Sequence, residues 1–86
     1  MSSRWYLYCV TCRDGSLYTG ITTDLARRLR AHNRGTGGAY TRSRRPVALA
    51  YLESRPTRAA ALRRERAIKQ WPRQQKLALI SGGSDA

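Results

Sequence analysis

Carboxylates are what this chain has least of. Five Asp+Glu face seventeen Lys+Arg in 86 residues, a formal net charge of +12. Phosphodiester chemistry on two metal ions needs several clustered carboxylates. The acids here are too few and too scattered for that: Asp14 in a turn, Asp24 at a helix start, Glu53 at a strand end, Asp85 near the C-terminus and Glu65 alone in mid-helix. Metal-ligating side chains of other kinds are as sparse. The chain has one His and two Cys. A structural zinc site needs four ligands, so the pair Cys9 and Cys12 is not expected to bind zinc. In a strand, residues three apart point to opposite faces, which favours two free thiols. Long apolar runs are missing too. Nothing resembles a signal-peptide core or a membrane span, and no basic amphipathic helix with bulky apolar residues is evident. The expectation is a cytoplasmic protein that does not engage membranes. The length leaves no room for a second core, so we expect one domain over residues 1–80 and a short polar tail over 81–86.

Arginine is the abundant residue, at fifteen of the seventeen cations. A guanidinium is a planar fork suited to bidentate phosphate contact, whereas lysine is a point charge. A field of this sign concentrates polyanions and makes their binding strongly salt-dependent. Nucleic acid is therefore the expected partner.

Residues Trp5 to Val10 read W-Y-L-Y-C-V, aromatic and β-branched enough for a strand. Asp14-Gly15 is a turn signal, and Leu17 to Ile21 supplies a second strand, giving a hairpin. Two-residue alternation puts Tyr6 and Tyr8 on one face of the first strand. It likewise pairs Tyr18 with Gly20 on the second, where Gly20 marks a bulge or a close approach. Thr22-Thr23-Asp24 is helix-capping chemistry and opens a helix to about Asn33. Leu25 and Leu29 form its apolar stripe, and Arg28 and His32, also four apart, project side by side. Asn33 to Pro46 reads as a basic glycine-rich loop without the Walker ending. Val47 to Glu53 is a third strand, expected to be central or well covered. Thr57 caps a helix from Arg58 to about Gln70, with Ala61, Leu62, Ala67 and Ile68 apolar. Trp71-Pro72 starts a last helix ending near Ile80. The order ββαβαα describes an α+β fold, a small three-stranded, mainly antiparallel sheet flanked by helices.

Five residues invite a joint chemical reading: Tyr8, Tyr18, Arg28, His32 and Glu65. Taken singly, the tyrosines suit aromatic packing, His32 a helix C-terminal cation and Glu65 a helix ion pair. Together they offer phenols, a base, a cation for phosphoryl oxygens and one carboxylate. One Mg²⁺ (or Mn²⁺) held by that carboxylate, waters and substrate oxygens is feasible. Tyrosine is normally a poor base, but nearby guanidinium groups and a metal would lower its pKa. Arg27, Arg34, Tyr40, Arg42, Arg44, Arg45 and Lys69 are the expected nucleic-acid contacts, largely because Arg and Tyr interleaved with Gly suit backbone contact.

The run Tyr6-Leu7-Tyr8, a short hairpin and then Tyr18-Thr19-Gly20 resembles the paired motif of the GIY-YIG nuclease superfamily. I-T-T-D-L-A-R-R-L-R-A-H-N resembles its helix. N-R-G-T-G-G-A-Y-T-R-S-R-R-P-V and L-R-R-E-R-A-I-K are similar to its small stand-alone bacterial branch. The likeness spans Trp5 to Leu79. It departs at Tyr6, Leu7 and Thr19, which are strand positions rather than reacting groups. It departs also near Lys69 or Gln70, where some members carry a late Asn. The resemblance implies a hydrolase cutting phosphodiesters, those of DNA before RNA, with one divalent metal. It implies that Tyr8 is the base or water-orienting phenol, assisted by Tyr18 at the phosphate. Arg28 would stabilise the transition state, His32 support proton transfer and Glu65 bind the metal. The matched stretch contains no DNA-recognition domain, so specificity is expected to be low, directed at damaged or branched structures, or lent by a protein partner. The alternative is a nucleic-acid-binding module, DNA or RNA, without catalysis.

Overall fold

A computed structural model describes residues 4–82. Seven elements follow one another: β1 (Trp5–Thr11), β2 (Leu17–Thr22), α1 (Leu25–Arg34), α2 (Ala39–Arg42), β3 (Ala48–Arg55), α3 (Arg58–Lys69) and α4 (Arg73–Gly82). The α+β architecture and the element order expected from the sequence are present, with one addition. The glycine-rich loop contains a single helical turn, α2, too short for a periodicity to reveal. At the other end, α4 runs through Ser81 and Gly82, so the expected polar tail keeps only residues 83–86, which lie outside the described residues.

The hairpin turn is built by local chemistry. Asp14 Oδ1 accepts from the Ser16 N–H at 3.0 Å and from its hydroxyl at 2.6 Å. Gly15 takes the positive φ of 86° that a side chain would resist. The antiparallel register that follows pairs Tyr8 with Gly20 and Val10 with Tyr18. Strand β3 then adds to the free edge of β1, antiparallel, to give the order β2-β1-β3. This corrects the expectation that β3 is central. The centre is β1, whose Leu7, Tyr8, Cys9 and Val10 are all buried, whereas Leu49 and Leu52 of β3 remain 41% and 42% exposed. Apolar content makes β3 look interior, but a strand's neighbours are set by chain connection and pairing, not by its own composition.

Alternation along β1 gives the sheet two apolar faces. On one, Tyr8, Val10 and Cys12 pack with Val47, Tyr18 and the Leu25 and Leu29 stripe of α1. On the other, Leu7 and Cys9 pack with Ile68 of α3 and with Trp71, Leu79 and Ile80 around α4. The two cysteines thus sit on opposite faces, both free and buried. Asp24 caps α1, its Oδ1 accepting from Arg27 N–H at 3.1 Å, and Thr57 caps α3 in the same way. These caps fix where the two helices that carry the candidate residues begin. Asn33 secures the far end of α1 by bonding both backbone groups of Val47, at 2.8 Å and 3.2 Å.

Candidate active site

Tyr8 is the centre of the site. It leaves the middle strand on the α1 face and is only 2% exposed. Opposite it stands Gly20, where a Cβ would come within 2.6 Å of Tyr8 Oη. The close approach expected at this glycine is therefore the phenol of its cross-strand partner. The Tyr8 hydroxyl meets His32 Nε2 at 2.8 Å. His32 is fully buried, and its Nδ1 meets Thr41 Oγ1 at 2.7 Å. The Tyr18 ring stands edge-on to His32, with centroids 5.4 Å apart, and 6.4 Å from Tyr8.

Burial governs the protonation of this group. It pushes the Tyr8 phenol well above the ordinary tyrosine range; Tyr18 and Glu65 push the same way and the Arg28 guanidinium opposes them. The sequence leads one to expect that nearby cations make the phenol more acidic, but in the free protein desolvation outweighs them. Burial, followed by Arg28, likewise lowers the His32 pKa. His32 is a buried core imidazole whose surroundings favour the neutral form, not the exposed helix-end cation its position would suggest. Arg28, one turn earlier on α1, is exposed, so of this i,i+4 pair one side chain faces solvent and the other lies in the core. They remain electrostatically coupled.

Glu65 arrives from α3. Its side chain is largely buried, and Oε2 pairs with Lys69 Nζ at 3.2 Å. The same ammonium lies 5.3 Å from the Tyr18 ring centre. Tyr18 stacks on Tyr40 of α2 at 5.8 Å and 28°, and the Arg44 guanidinium covers Tyr40 at 4.0 Å. Arg44 is in turn held by Asp14 at 3.2 Å. Tyr40, Arg44 and Lys69, expected at the nucleic-acid surface, thus form a cation–aromatic stack around Tyr18. Arg27 and Arg34 line a groove with Arg28 and the start of α1. Arg42 and Arg45 line a second groove with Arg13 and Asn33. Both grooves are rich in guanidinium groups.

Three residues escape a reading of the sequence. Thr41 holds His32, and Gly37 allows the loop to cross the imidazole, since a Cβ there would lie 2.5 Å from Nδ1. A hydroxyl and a glycine in a glycine-rich loop give no sign of this. Glu53 is the third. It accepts from Tyr51 at 2.6 Å and from Arg64 at 2.9 Å, and pairs with Arg55 at 2.6 Å. Its place is the junction of β3 with α3, outside the tyrosine cluster. Among the described residues no three His, Cys, Asp or Glu gather closely enough to cage a metal.

The model of the GIY-YIG catalytic domain matches residues 4–78. A UPF0213 protein of Haloquadratum walsbyi is 51% identical, over 99% of this chain and 96% of its own. One from Staphylococcus saprophyticus is 53% identical, over 91% and 95%. A solution NMR structure of an E. faecalis protein superposes with a TM-score of 0.65 at 42% identity, covering 95% of this chain and 90% of that one. That of a UPF0213 protein from Bacillus halodurans gives 0.60 at 41%, covering 91% and 83%. The family match covers nearly the whole chain and the relatives are about half identical to it, so the chain belongs to the GIY-YIG family and is akin to the UPF0213 proteins.

Proposed function

We propose that this protein is a divalent-metal-dependent endonuclease that hydrolyses DNA phosphodiesters at a one-ion site, with low or structure-based specificity. The carrying observation is convergence. Tyr18, Arg28 and Glu65, from three different elements, all act electrostatically on the buried Tyr8 phenol, and His32 is hydrogen-bonded to it. Scattered surface charges would not single out one hydroxyl.

The donor chemistry suits Mg²⁺ or Mn²⁺ held sparingly. Glu65 is the one carboxylate in the cluster, and with no cage of three ligands the remaining positions would go to waters and substrate oxygens, as Mg²⁺ commonly accepts. Bound there, the ion would neutralise charge on the phosphoryl group. Lys69 now balances Glu65 and would have to yield part of that role. Arg28, exposed and beside the phenol, is suited to charge developing on phosphoryl oxygens. Tyr8 is suited to orient the attacking water, and His32 to take up the proton of the phenol. Arg27, Arg34, Arg42 and Arg45 line two grooves in which backbone phosphates would lie.

The test is cleavage of intact, damaged and branched DNA with Mg²⁺ or Mn²⁺, comparing wild type with Glu65→Ala and Arg28→Ala. Cutting by wild type and its loss by about 10²-fold or more in each variant is expected, the scale on which single electrostatic groups act. A wild type that never cuts, or two variants that cut as well as it does, would end this reading. A non-catalytic DNA- or RNA-binding module is the second reading, favoured by the Lys69–Glu65 pair and the protonated Tyr8. Salt-dependent affinity without turnover, unchanged in Glu65→Ala, would select it.

A further inference from the structure

The chain Tyr8–His32–Thr41 has a direction, and the buried acceptors determine it. Thr41 is 1% exposed, and its hydroxyl has the Gly38 carbonyl, at 3.5 Å, as an acceptor. Tyr8 Oη has a single hydrogen-bond partner, His32 Nε2, among the described residues. With the His32 proton on Nε2, that N–H would donate to Tyr8 Oη, and the buried phenolic proton would have no acceptor. With the proton on Nδ1 every donor is matched: Tyr8 O–H to Nε2, Nδ1–H to Thr41 Oγ1, Thr41 O–H to the Gly38 carbonyl. Buried donors are nearly always paired, and the tautomer of a histidine follows the hydrogen bond made by its other nitrogen.

We infer that Thr41 is a positioning residue for the reaction proposed above: it locks His32 as the Nδ1–H tautomer and so keeps Nε2 free to accept the Tyr8 proton. The inference rests on the nuclease reading for its catalytic consequence, though not for the tautomer itself. In the transfer the Tyr8 O–H bond breaks and an Nε2–H bond forms, leaving a phenolate beside an imidazolium that still donates through Nδ1 to Thr41. Threonine neutralises no charge, so the imidazolium is balanced by the phenolate formed beside it and held by its hydrogen bonds. The groups facing the pair are Tyr18 from β2, Arg28 from α1, Thr41 from α2 and, acting on Tyr8, Glu65 from α3. The glycine-rich loop gains a purpose here. Gly37 lets it pass within contact of the imidazole and delivers Thr41 into the single turn of α2.

Long-range ¹H–¹⁵N NMR of the His32 ring in the free protein reads the tautomer directly. Wild type is expected to be Nδ1–H. Thr41→Val, which keeps the shape and removes the acceptor, is expected to move the ring toward Nε2–H and to lower kcat by about tenfold or more, since general-base assistance contributes on the scale of 10²–10⁴. KM should stay unchanged and the pH–rate profile should shift. Thr41→Ser should restore both the tautomer and the rate. An Nε2–H wild type overturns the inference, as does a Thr41→Val protein with unaltered tautomer and pH profile. Should Thr41→Val fail to fold, the wild-type tautomer and the Thr41→Ser rate still decide. A wild type with the Nδ1–H tautomer that cuts no DNA would sink the nuclease reading and leave the positioning of His32 standing.

Discussion

At the scale of single residues, the two carboxylates of the β3–α3 region have opposite duties that their sequence contexts conceal. Glu53 sits at a strand end and looks peripheral in the sequence, yet it gathers Tyr51, Arg55 and Arg64. Glu65 sits in R-R-E-R and reads as a surface ion pair, yet it acts on Tyr8. Glu53→Ala strands two guanidinium groups and a tyrosine hydroxyl in a half-buried setting. It should cost about 1–3 kcal/mol in urea unfolding while leaving the tyrosine cluster in place. Glu65→Gln loses mainly an i,i+4 pair with Lys69, worth about 0.3–0.5 kcal/mol, but should abolish any metal-dependent activity. His32 carries its own pH signature. Its folded pKa lies below the ordinary 6.5. The unfolded chain therefore takes up a proton first as pH falls, and the native state loses stability through that window until it too protonates. Unfolding midpoints measured between about pH 8 and 5 should drop in wild type and drop less in His32→Gln. Equal slopes would show that His32 is not held neutral.

At the scale of elements, what can be read in the chain is local. Asp14-Gly15 builds the hairpin turn, and Asp24 and Thr57 cap α1 and α3, because each signal acts within a few residues. The edge position of β3 and the single turn of α2 cannot be read, since neither is encoded within its own segment. The i,i+4 spacing of Arg28 and His32 is legible, but not that one is exposed and the other wholly buried. That difference comes from Gly37 and Thr41 covering one side of α1. The element-scale consequence is that α1 must start in the right place to present both residues. Asp24→Ala removes the acceptor for Arg27 N–H and should cost about 1 kcal/mol, whereas Asp24→Ser should retain most of it. Thermal unfolding of the two variants decides, and equal loss in both would mean that the cap is not what anchors α1.

At the scale of the whole molecule, charge dominates. A net +12 on so small a surface favours polyanions whatever the catalytic centre does. Arg27 and Arg34 line the groove that also holds Arg28, without a carboxylate ion pair among the described residues. Binding of duplex DNA should weaken linearly in log–log form with added salt, by about 0.9 in slope per phosphate contact. Replacing both Arg27 and Arg34 by Ala should thus flatten the slope by roughly 1.8, two contacts' worth. An unchanged slope in a fluorescence-anisotropy salt series would place the DNA elsewhere.

The shortage of carboxylates is decided by the sequence alone: it argues against a two-ion centre and leaves Glu65 as the candidate ligand. The turns, caps and strand alternation are also set by the chain itself, because they arise from contacts between near neighbours. Only tertiary structure decides the chemistry of the phenol. Tyr8, Gly20, His32, Gly37 and Thr41 are distant in sequence, and their meeting on one face of β1 buries the phenol and pushes its pKa up. Desolvation is a property of what surrounds a group, and no spacing along the chain carries that information.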